Sequence, residues 1–307
     1  MSSRFERSVR AQPALVRAVL DAPAPSWLKR PAGRKVFLVG VGTNHHAARL
    51  AAWQWSRAGL DARAVHAYDF VARPYRLGRG DLGVFLSHRG GRSYTVRAER
   101  AARRAGAETV VVTARGSDWD APRRLQTGPL EDTGAYTQSF TTTLAWLARW
   151  PERPALLAPF RRLSAALRGG PSFPRVAAAT DLLLIGDGPR EWVARETALK
   201  VMEAASLRAR AFGLEEFLHG PCVSAGRGSL AVAFSAPGEP RWRAARAYLR
   251  EIGVPLVEVR SADWLAQVLW GQRFTLAACR RLGIDPDLLR GDEPRYRRAR
   301  SFLKLAA

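Results

Sequence analysis

Short apolar runs alternate with amphipathic segments along most of the chain. In the first half, the apolar runs predict strands near 35–40, 62–66, 82–87 and 108–113, and helices near 44–58 and 93–105. In the second half they predict strands near 181–186, 207–211, 229–235 and 255–259, and helices near 190–205 and 240–252. Strands that alternate with helices in this way indicate parallel sheets covered by helices.

The two halves carry the same pattern in the same order. Residues 36–40 and 182–186 are buried-strand runs, each leading into a Gly-x-Gly segment, at an offset of about 146 residues. Three further pairs follow at nearly the same offset: 84–87 with 232–235, 106–112 with 253–259, and 69–70 with 216–217. The simplest explanation is a single α/β unit that is present twice.

This pattern predicts an α/β chain with two consecutive domains. We expect an N-terminal helix and linker over 1–34, a first domain over 35–150 and a second domain over 175–285. A linker helix over 151–174 separates the domains, because prolines and Gly169-Gly170 interrupt that stretch. Residues 286–307 form a C-terminal tail.

Charge is the compositional feature that changes this picture most. Lysine and arginine total 49 against 27 acidic residues, which gives a formal net charge of +22. The arginines are spread along the chain, so attraction of small anions is favoured over nucleic acid as the main partner. The sequence has no apolar run that would span a membrane and no signal-peptide pattern. Two cysteines without metal-ligand spacing indicate a reducing cytoplasm and no metal.

Three polar loops of the first unit follow strands, where doubly wound sheets bind ligands. The first contains Gly42, Thr43 and Asn44 before a helix, and its backbone amides would suit an anion. It lacks the third glycine of a dinucleotide motif, so no such cofactor is expected. Asn44 could equally be a plain helix cap.

The second loop combines a hydroxyl, flexible backbone and arginines that could hold a phosphate in a bidentate grip. Its residues of interest are Ser87, His88, Arg89 and Arg92. The alternative is an ordinary turn capped by Ser93. The third loop, 136–143, is rich in hydroxyls and includes Thr137, which could bond a sugar or simply cap the next helix.

The second unit offers acid–base groups. Glu196, Lys200 and Glu203 lie at i, i+4 and i+7, so they share one helix face. A solvent-exposed salt-bridge ladder is the alternative. His219 stands beside Gly220-Pro221 in a polar loop and suits proton transfer near neutral pH, although a lone histidine is more often structural.

The duplicated unit resembles the sugar isomerase (SIS) domain, and most of all the isomerase half of glucosamine-6-phosphate synthase. The likeness covers roughly residues 1–290 and rests on 196–203 (ETALKVME), 216–221 (EFLHGP), 140–142 (FTT) and 283–287 (GIDPD). It implies two tandem SIS-type, flavodoxin-like three-layer α/β/α domains with parallel sheets. It also implies a homodimer that needs no cofactor and takes a phosphorylated sugar or amino sugar.

By this resemblance, Glu203 moves a proton between sugar carbons C1 and C2, and His219, from the neighbouring subunit in the synthase, helps open the ring. Glu196 and Lys200 would organise the site. The sugar and phosphate binders would be Gly42, Thr43, Asn44, Ser87, His88, Arg89, Arg92 and Thr137.

Two departures from the family pattern affect the expected activity. The phosphate loop of the family reads Ser-Gln-Ser-Gly-Glu-Thr, whereas residues 87–92 read Ser-His-Arg-Gly-Gly-Arg. The C-terminal active-site lysine of the family has no clear equivalent, because the tail is arginine-rich with Lys304 near its end. With no N-terminal cysteine and no room for a glutaminase domain, ammonia release from glutamine is not expected.

The predicted activity is that of an isomerase, deaminase or deglycase that acts on a phosphorylated amino sugar or ketosamine. The alternatives are a regulatory protein that binds a sugar phosphate without catalysis and, less favoured, a basic nucleic-acid-associated protein.

Overall fold

The computed structural model describes residues 2–73, 75, 77–91, 93–167 and 179–303. Arg92, Lys304 and the predicted boundary at 174–175 lie outside these residues. The chain divides into two compact units. The N-terminal unit comprises Arg10–Asp132, Tyr136–Arg161 and Leu303–Ala307, and the C-terminal unit comprises Met1–Val9, Thr133–Ala135 and Arg162–Phe302. Helix α1 (Arg4–Asp21) contributes residues to both units.

The N-terminal unit contains a five-stranded, fully parallel sheet in the order β2-β1-β3-β4-β5. The strands are β1 (Lys35–Gly40), β2 (Asp61–His66), β3 (Leu82–Leu86), β4 (Glu108–Arg115) and β5 (Arg124–Pro129). The helices are α2 (Thr43–Arg57), α3 (Ala67–Ala72), α4 (Tyr94–Arg104), α5 (Gln138–Arg149) and α6 (Pro154–Arg161). This strand order is the flavodoxin-like one, in which the chain changes direction between β1 and β3.

The C-terminal unit contains a four-stranded parallel sheet in the order β7-β6-β8-β9. Its elements begin with α7 (Leu163–Ala166), β6 (Asp181–Gly186), α8 (Arg190–Ala205), β7 (Ala209–Gly213) and α9 (Leu214–Leu218). They continue with β8 (Ser229–Ser235), α10 (Trp242–Glu251), β9 (Leu256–Arg260), α11 (Trp264–Leu282) and α12 (Pro294–Arg300). The order repeats that of β2-β1-β3-β4 in the N-terminal unit.

The α/β class with parallel sheets is confirmed, and most elements lie within a few residues of their predicted positions. Several elements were not predicted, among them the short helices α3, α9 and α12. β5 reads RLQTGP and has no apolar run, and only its pairing with β4 makes it a strand. The long helix α11 was also missed, and the linker helix predicted within 151–174 contains two helices that meet at Arg162.

Glycines at the ends of β1 and β6 allow the following helices to come close. A Cβ added at Gly40 would lie 2.7 Å from the backbone carbon of Asn44, and one at Gly186 would lie 2.2 Å from that of Arg190. Larger residues would therefore push helices α2 and α8 away from the strands that precede them.

Candidate active site

The first predicted loop lies at the carboxyl end of β1 in the N-terminal unit. Gly42 has φ 55°, in the left-handed region that glycine adopts without strain, and α2 begins directly after it. Thr43 is buried, and the amide of Asn44 donates to the carbonyl oxygen of Val41 at 3.1 Å. Because β1 and β3 are parallel neighbours at the reversal of strand order, the loops after them share one edge of this sheet.

Ser87 and His88 follow β3 at that edge. The Ser87 hydroxyl oxygen accepts a hydrogen bond from the Gly90 amide at 3.2 Å. His88 is buried, and its Nε2 accepts a hydrogen bond from the Glu131 amide at 2.8 Å. A neutral imidazole that accepts at Nε2 carries its proton on Nδ1. Burial lowers the pKa of His88 to about 4, with Glu131 opposing and Arg89 reinforcing that shift.

The buried Nδ1 of His88 has no hydrogen-bond partner among the described residues. A buried donor normally finds an acceptor, so this N–H group is suited to a water molecule or a ligand oxygen. His88 is therefore placed as a neutral donor at neutral pH, not as a cation.

Arg89 is exposed but fixed in orientation. Its Nε donates to the Tyr136 hydroxyl at 2.5 Å, and Nη2 donates to the Glu131 carbonyl oxygen at 3.2 Å. The guanidinium also lies 5.8 Å from the centre of the Tyr136 ring. Within the described part of the chain Nη1 has no partner, so one end of the fork faces away from these contacts.

Glu131 is a residue that the sequence reasoning missed. Its buried carboxylate accepts hydrogen bonds from the Thr137 amide at 2.7 Å and from the Thr137 hydroxyl at 3.0 Å. The Ser139 amide donates to the other carboxylate oxygen at 3.1 Å. An internal carboxylate thus caps the N-terminus of α5, where the hydroxyl-rich segment was expected to meet a ligand. A glutamate shortly before a hydroxyl-rich helix start was the available signal.

In the C-terminal unit, α8 brings Glu196, Lys200 and Glu203 together. The Lys200 side chain is 1% exposed, and its Nζ lies 2.5 Å from Glu203 Oε2 and 3.6 Å from Glu196 Oε1. Glu196 is also buried, whereas the Glu203 side chain is 33% exposed. The arrangement is therefore not a solvent-exposed ladder but a buried ion pair that ends in an accessible carboxylate.

Glu203 lines a cavity of about 540 Å³ within the C-terminal unit. The residues around it come from the end of α8, the segment before β7, the 133–135 loop and the C-terminal segment. They are Gly134, Met202, Ser206, Leu207, Arg208, Leu289, Arg290, Gly291, Tyr296 and Arg300. The sequence reasoning missed the arginines and Tyr296, because arginine is abundant throughout the chain.

Two backbone details shape this cavity. Ser206 ends α8 with φ 53°, a left-handed conformation that few residues other than glycine adopt. A Cβ added at Gly134 would lie 1.9 Å from Leu289 Cδ1, so the side chain of Leu289 packs directly on the 133–135 loop. These contacts give the cavity a defined wall.

The structure does not bring His219 to this cavity within one chain. His219 follows α9 and is exposed, and its amide donates to the Glu215 carbonyl oxygen at 3.0 Å. It is absent from the residues that line the Glu203 cavity. Its predicted role in ring opening stays a prediction.

The C-terminal unit fills its own strand-reversal crevice, between β6 and β8, with buried side chains. Asp187 accepts hydrogen bonds from Trp242 Nε1 at 2.6 Å and from the Ala236 amide at 2.7 Å, and it pairs with Arg190 at 3.3 Å. Asp187 and Arg190 are both 8% exposed. This network occupies the carboxyl ends of β6 and β8 with the protein's own hydrogen bonds.

Among the described residues, no group of three or more His, Cys, Asp or Glu side chains could hold a metal ion. None of the helices described has both the length and the apolar character needed to cross a bilayer.

No family model matches the chain. Two glutamine–fructose-6-phosphate aminotransferases (isomerizing) are similar in sequence. The one from Zymomonas mobilis is 28% identical over 61% of this chain, and the one from Pyrobaculum aerophilum is 28% identical over 62%. The chain spans about a third of these relatives, since each match covers 35% of the relative's length.

Three solved structures share the fold. A candidate phosphosugar isomerase from Silicibacter pomeroyi superposes with a TM-score of 0.77 and 24% identity, covering 93% of this chain and 100% of the other. Tagatose-6-phosphate ketose/aldose isomerase from Escherichia coli gives a TM-score of 0.71 and 19% identity, covering 93% and 95%. Glucosamine-6-phosphate deaminase from Thermotoga maritima gives 0.72 and 16%, covering 93% and 97%.

These comparisons confirm the resemblance read from the sequence. The fold is that of the SIS phosphosugar isomerase structures. The chain is related in sequence to the isomerase domain of glucosamine-6-phosphate synthase, and its structural neighbours include a tagatose-6-phosphate isomerase and a glucosamine-6-phosphate deaminase.

Proposed function

We propose that this protein is an enzyme that isomerises, deaminates or deglycates a phosphorylated amino sugar or ketosamine, with Glu203 as its base. The observation that carries the proposal is the position of Glu203, whose carboxylate lines the 540 Å³ cavity and contacts the buried Lys200 ammonium at 2.5 Å. The names of the relatives and structural neighbours support the same substrate class.

An aldose–ketose or aldimine–ketimine interconversion needs one carboxylate that takes a proton from one carbon and returns it to the next. Glu203 is accessible enough to reach a substrate and is held in place by Lys200, which Glu196 in turn fixes from the buried side. Held in this way, the carboxylate loses less conformational freedom when it meets the reacting carbons. His219 would assist ring opening from the partner subunit of a homodimer.

The phosphate of the substrate would bind at the crevice of the N-terminal unit. Gly42, Thr43 and Asn44 supply the start of α2 there, and Ser87 and His88 follow β3 at the same edge. The buried Nδ1–H of His88 supports a role in donating a hydrogen bond to an anionic ligand. Arg89 and Arg92, together with Thr137, complete the proposed set.

The wider proposal includes two tandem flavodoxin-like SIS domains over 35–150 and 175–285, which the shared strand order supports. The segments 1–34, 151–174 and 286–307 would be the N-terminal helix and linker, the connecting helix and the tail. A cytoplasmic homodimer that needs no cofactor completes the proposal.

The second candidate is a regulatory protein that binds a sugar phosphate without turning it over. One observation favours it. In the N-terminal unit the protein satisfies groups that could hold an anion with its own residues, because Glu131 caps α5 and Tyr136 accepts from Arg89.

Replacement of Glu203 by Gln tests the catalytic proposal. We expect turnover of the active sugar phosphate to fall by about a thousandfold, because proton transfer by a positioned base contributes rate factors of that order. Affinity for the substrate, measured by calorimetry, should change only a few-fold. Glu251→Gln, an exposed change on α10, is the matched control and should retain full activity.

Retained turnover in Glu203→Gln would show that Glu203 is not the catalytic base. Saturable binding of sugar phosphates by the unaltered protein, with no product from any of them, would favour the regulatory candidate instead.

A further inference from the structure

The cavity beside Glu203 carries more positive charge than its own carboxylate requires. Arg208, Arg290 and Arg300 line it, and among the described residues Glu203 is the acidic member of the lining. The Glu203 carboxylate is already contacted by Lys200 from the buried side of α8. The three guanidinium groups are therefore not needed to neutralise Glu203.

Two of these arginines form only long, solvent-exposed ion pairs with nearby acidic side chains. Arg290 lies 3.8 Å from Glu293, and Arg300 lies 3.6 Å from Asp292. The side chains of both arginines are more than half exposed, at 53% and 60%, so water screens these pairs. Arg208 forms no ion pair with any residue in the described part of the chain. A ligand anion could take over all three groups.

The arginines come from two separate parts of the C-terminal unit. Arg208 stands just before β7, shortly after the left-handed turn at Ser206, whereas Arg290 and Arg300 belong to the C-terminal segment. The packing of Leu289 against Gly134 fixes the residue directly before Arg290. The convergence on one cavity is therefore a product of the fold, not of a local run of basic residues.

From this geometry we propose that the substrate carries a carboxylate attached through its nitrogen next to the carbons on which Glu203 acts, and that Arg208, Arg290 and Arg300 bind this carboxylate. The inference rests on the proposed function of Glu203. It selects, among the proposed substrates, a ketosamine phosphate formed from a hexose phosphate and an amino acid. In such a compound only the nitrogen and one carbon separate the carboxylate from C1, whereas the phosphate lies at the far end of the sugar.

The reaction that follows is a hydrolysis of the C1–N bond. Glu203 takes a proton from C1, the C1–C2 double bond forms, and the C2 carbonyl oxygen takes a proton from the substituted ammonium. Return of the Glu203 proton to C2 produces a protonated imine at C1. Water then adds at C1, and its two protons pass to the nitrogen. The C1–N bond breaks with its electron pair on nitrogen while the C1–O bond becomes a carbonyl. The products are a hexose phosphate and an amino acid.

The test compares two ligands that differ only in the carboxylate. One is the fructosamine 6-phosphate of glycine, and the other is the N-ethyl fructosamine 6-phosphate, which has a methyl group in its place. We expect the unaltered protein to prefer the glycine compound in kcat/KM by about ten- to a hundredfold, the range expected for hydrogen bonds between charged groups. In the double variant Arg208→Gln/Arg300→Gln the preference should fall towards unity.

Arg250→Gln/Arg298→Gln is the matched control, because it removes the same formal charge from exposed arginines that do not line the cavity. It should keep the preference. Equal kcat/KM values for the two ligands in the unaltered protein would overturn the inference, and so would an equal loss of preference in the control. A further outcome concerns the phosphate. If the cavity variants instead lose the preference for the phosphorylated glycine compound over the same compound without phosphate, the arginines bind phosphate and the inference is wrong.

Calorimetry on Glu203→Gln separates this inference from the proposed function. If no ketosamine or amino-sugar phosphate is turned over, the catalytic proposal fails. Tighter binding of the glycine compound than of the N-ethyl compound would then still support the carboxylate site, and equal binding would refute it.

Discussion

At the scale of single residues, the ammonium of Lys200 is a charged group that the fold removes from water. It is almost fully buried between the carboxylates of Glu196 and Glu203. A buried charge is tolerated only where partners replace the water that it has lost. The pairing explains how the protein holds two carboxylates close together on one helix face.

Replacement of Lys200 by Met would leave Glu196 buried without its cation. We expect the free energy of unfolding to fall by about 3–5 kcal/mol, the usual cost of removing one partner of a buried ion pair. The double variant Glu196→Gln/Lys200→Met should recover much of that loss. Urea denaturation followed by circular dichroism measures both, with the exposed Lys29→Met as a control. A single variant as stable as the unaltered protein would contradict this account of the pair.

His88 predicts a pH dependence of stability. Its pKa is lowered from 6.5 to about 4, mainly by burial, so the unfolded chain binds a proton at pH 5 that the folded chain does not. Stability should therefore fall as the pH drops from 6.5 to about 4, by on the order of 3 kcal/mol for this residue.

His88→Gln should flatten that part of the stability–pH curve, which thermal unfolding across buffers from about pH 7 to pH 4 would show. His45, whose pKa burial and its histidine neighbours also lower to about 4, contributes a similar slope. For this reason His45→Gln is the natural comparison. A slope unchanged by either substitution would show that neither imidazole is held neutral in the folded state.

At the scale of elements, helix α8 joins the catalytic candidate to the cavity. Glu203 lies in its last turn, where the carbonyl end of the helix disfavours a carboxylate, and Lys200 offsets this one turn earlier. The left-handed Ser206 then turns the chain so that Leu207 and Arg208 also face the cavity. The end of the helix is thus a place where stability and site geometry compete.

Ser206→Gly should increase the free energy of unfolding by about 1 kcal/mol, because glycine adopts a left-handed conformation without the Cβ clash. Ser206→Ala keeps the Cβ and should bring no gain. Chemical denaturation of both variants measures the difference. If alanine stabilises as much as glycine, the serine side chain and not the backbone strain is responsible.

The contact between β6 and α8 gives a second prediction at this scale. Gly186→Ala places a Cβ 2.2 Å from the Arg190 backbone, so the helix must move. We expect a loss of at least about 1–3 kcal/mol in unfolding free energy, as for other overpacked sites. Gly226→Ala, where a Cβ meets nothing within 4 Å, is the control and should stay near the unaltered stability.

At the scale of the whole molecule, the excess of arginine dominates. A formal net charge of +22 creates a positive field that raises the local concentration of anions around the protein. The Glu203 cavity concentrates three of these arginines, while many others lie on exposed helix faces such as those of α10 and α12. The net charge attracts anions to the whole surface, and the arginines of the cavity provide a defined place for an anion to bind.

Salt should therefore weaken the binding of a phosphorylated substrate. Between about 0.05 M and 0.5 M sodium chloride we expect KM to rise several-fold while kcat changes little, because screening acts on charges that are apart in solvent more than on contacts inside the site. Steady-state kinetics at constant pH measures this. A KM that does not vary with salt would indicate that the net charge plays no part in substrate capture.

The sequence by itself determined the features that depend on local order. The periodicity of apolar residues placed most strands and helices, and the repeat predicted one α/β unit that occurs twice. Helical spacing put Glu196, Lys200 and Glu203 on one face. These follow from the chain's own geometry, since the alternation of side chains along a strand or helix is fixed by the backbone.

Only the tertiary structure decided which distant residues meet. β5 is a strand because β4 pairs with it, Glu131 caps α5 across a turn, and the His88 tautomer follows from the Glu131 amide. Arg208 and Arg300 both line the cavity of Glu203, although more than ninety positions of the chain separate them. Contacts between residues far apart in sequence depend on packing and burial, and no local pattern of an arginine-rich chain marks the few arginines that packing selects.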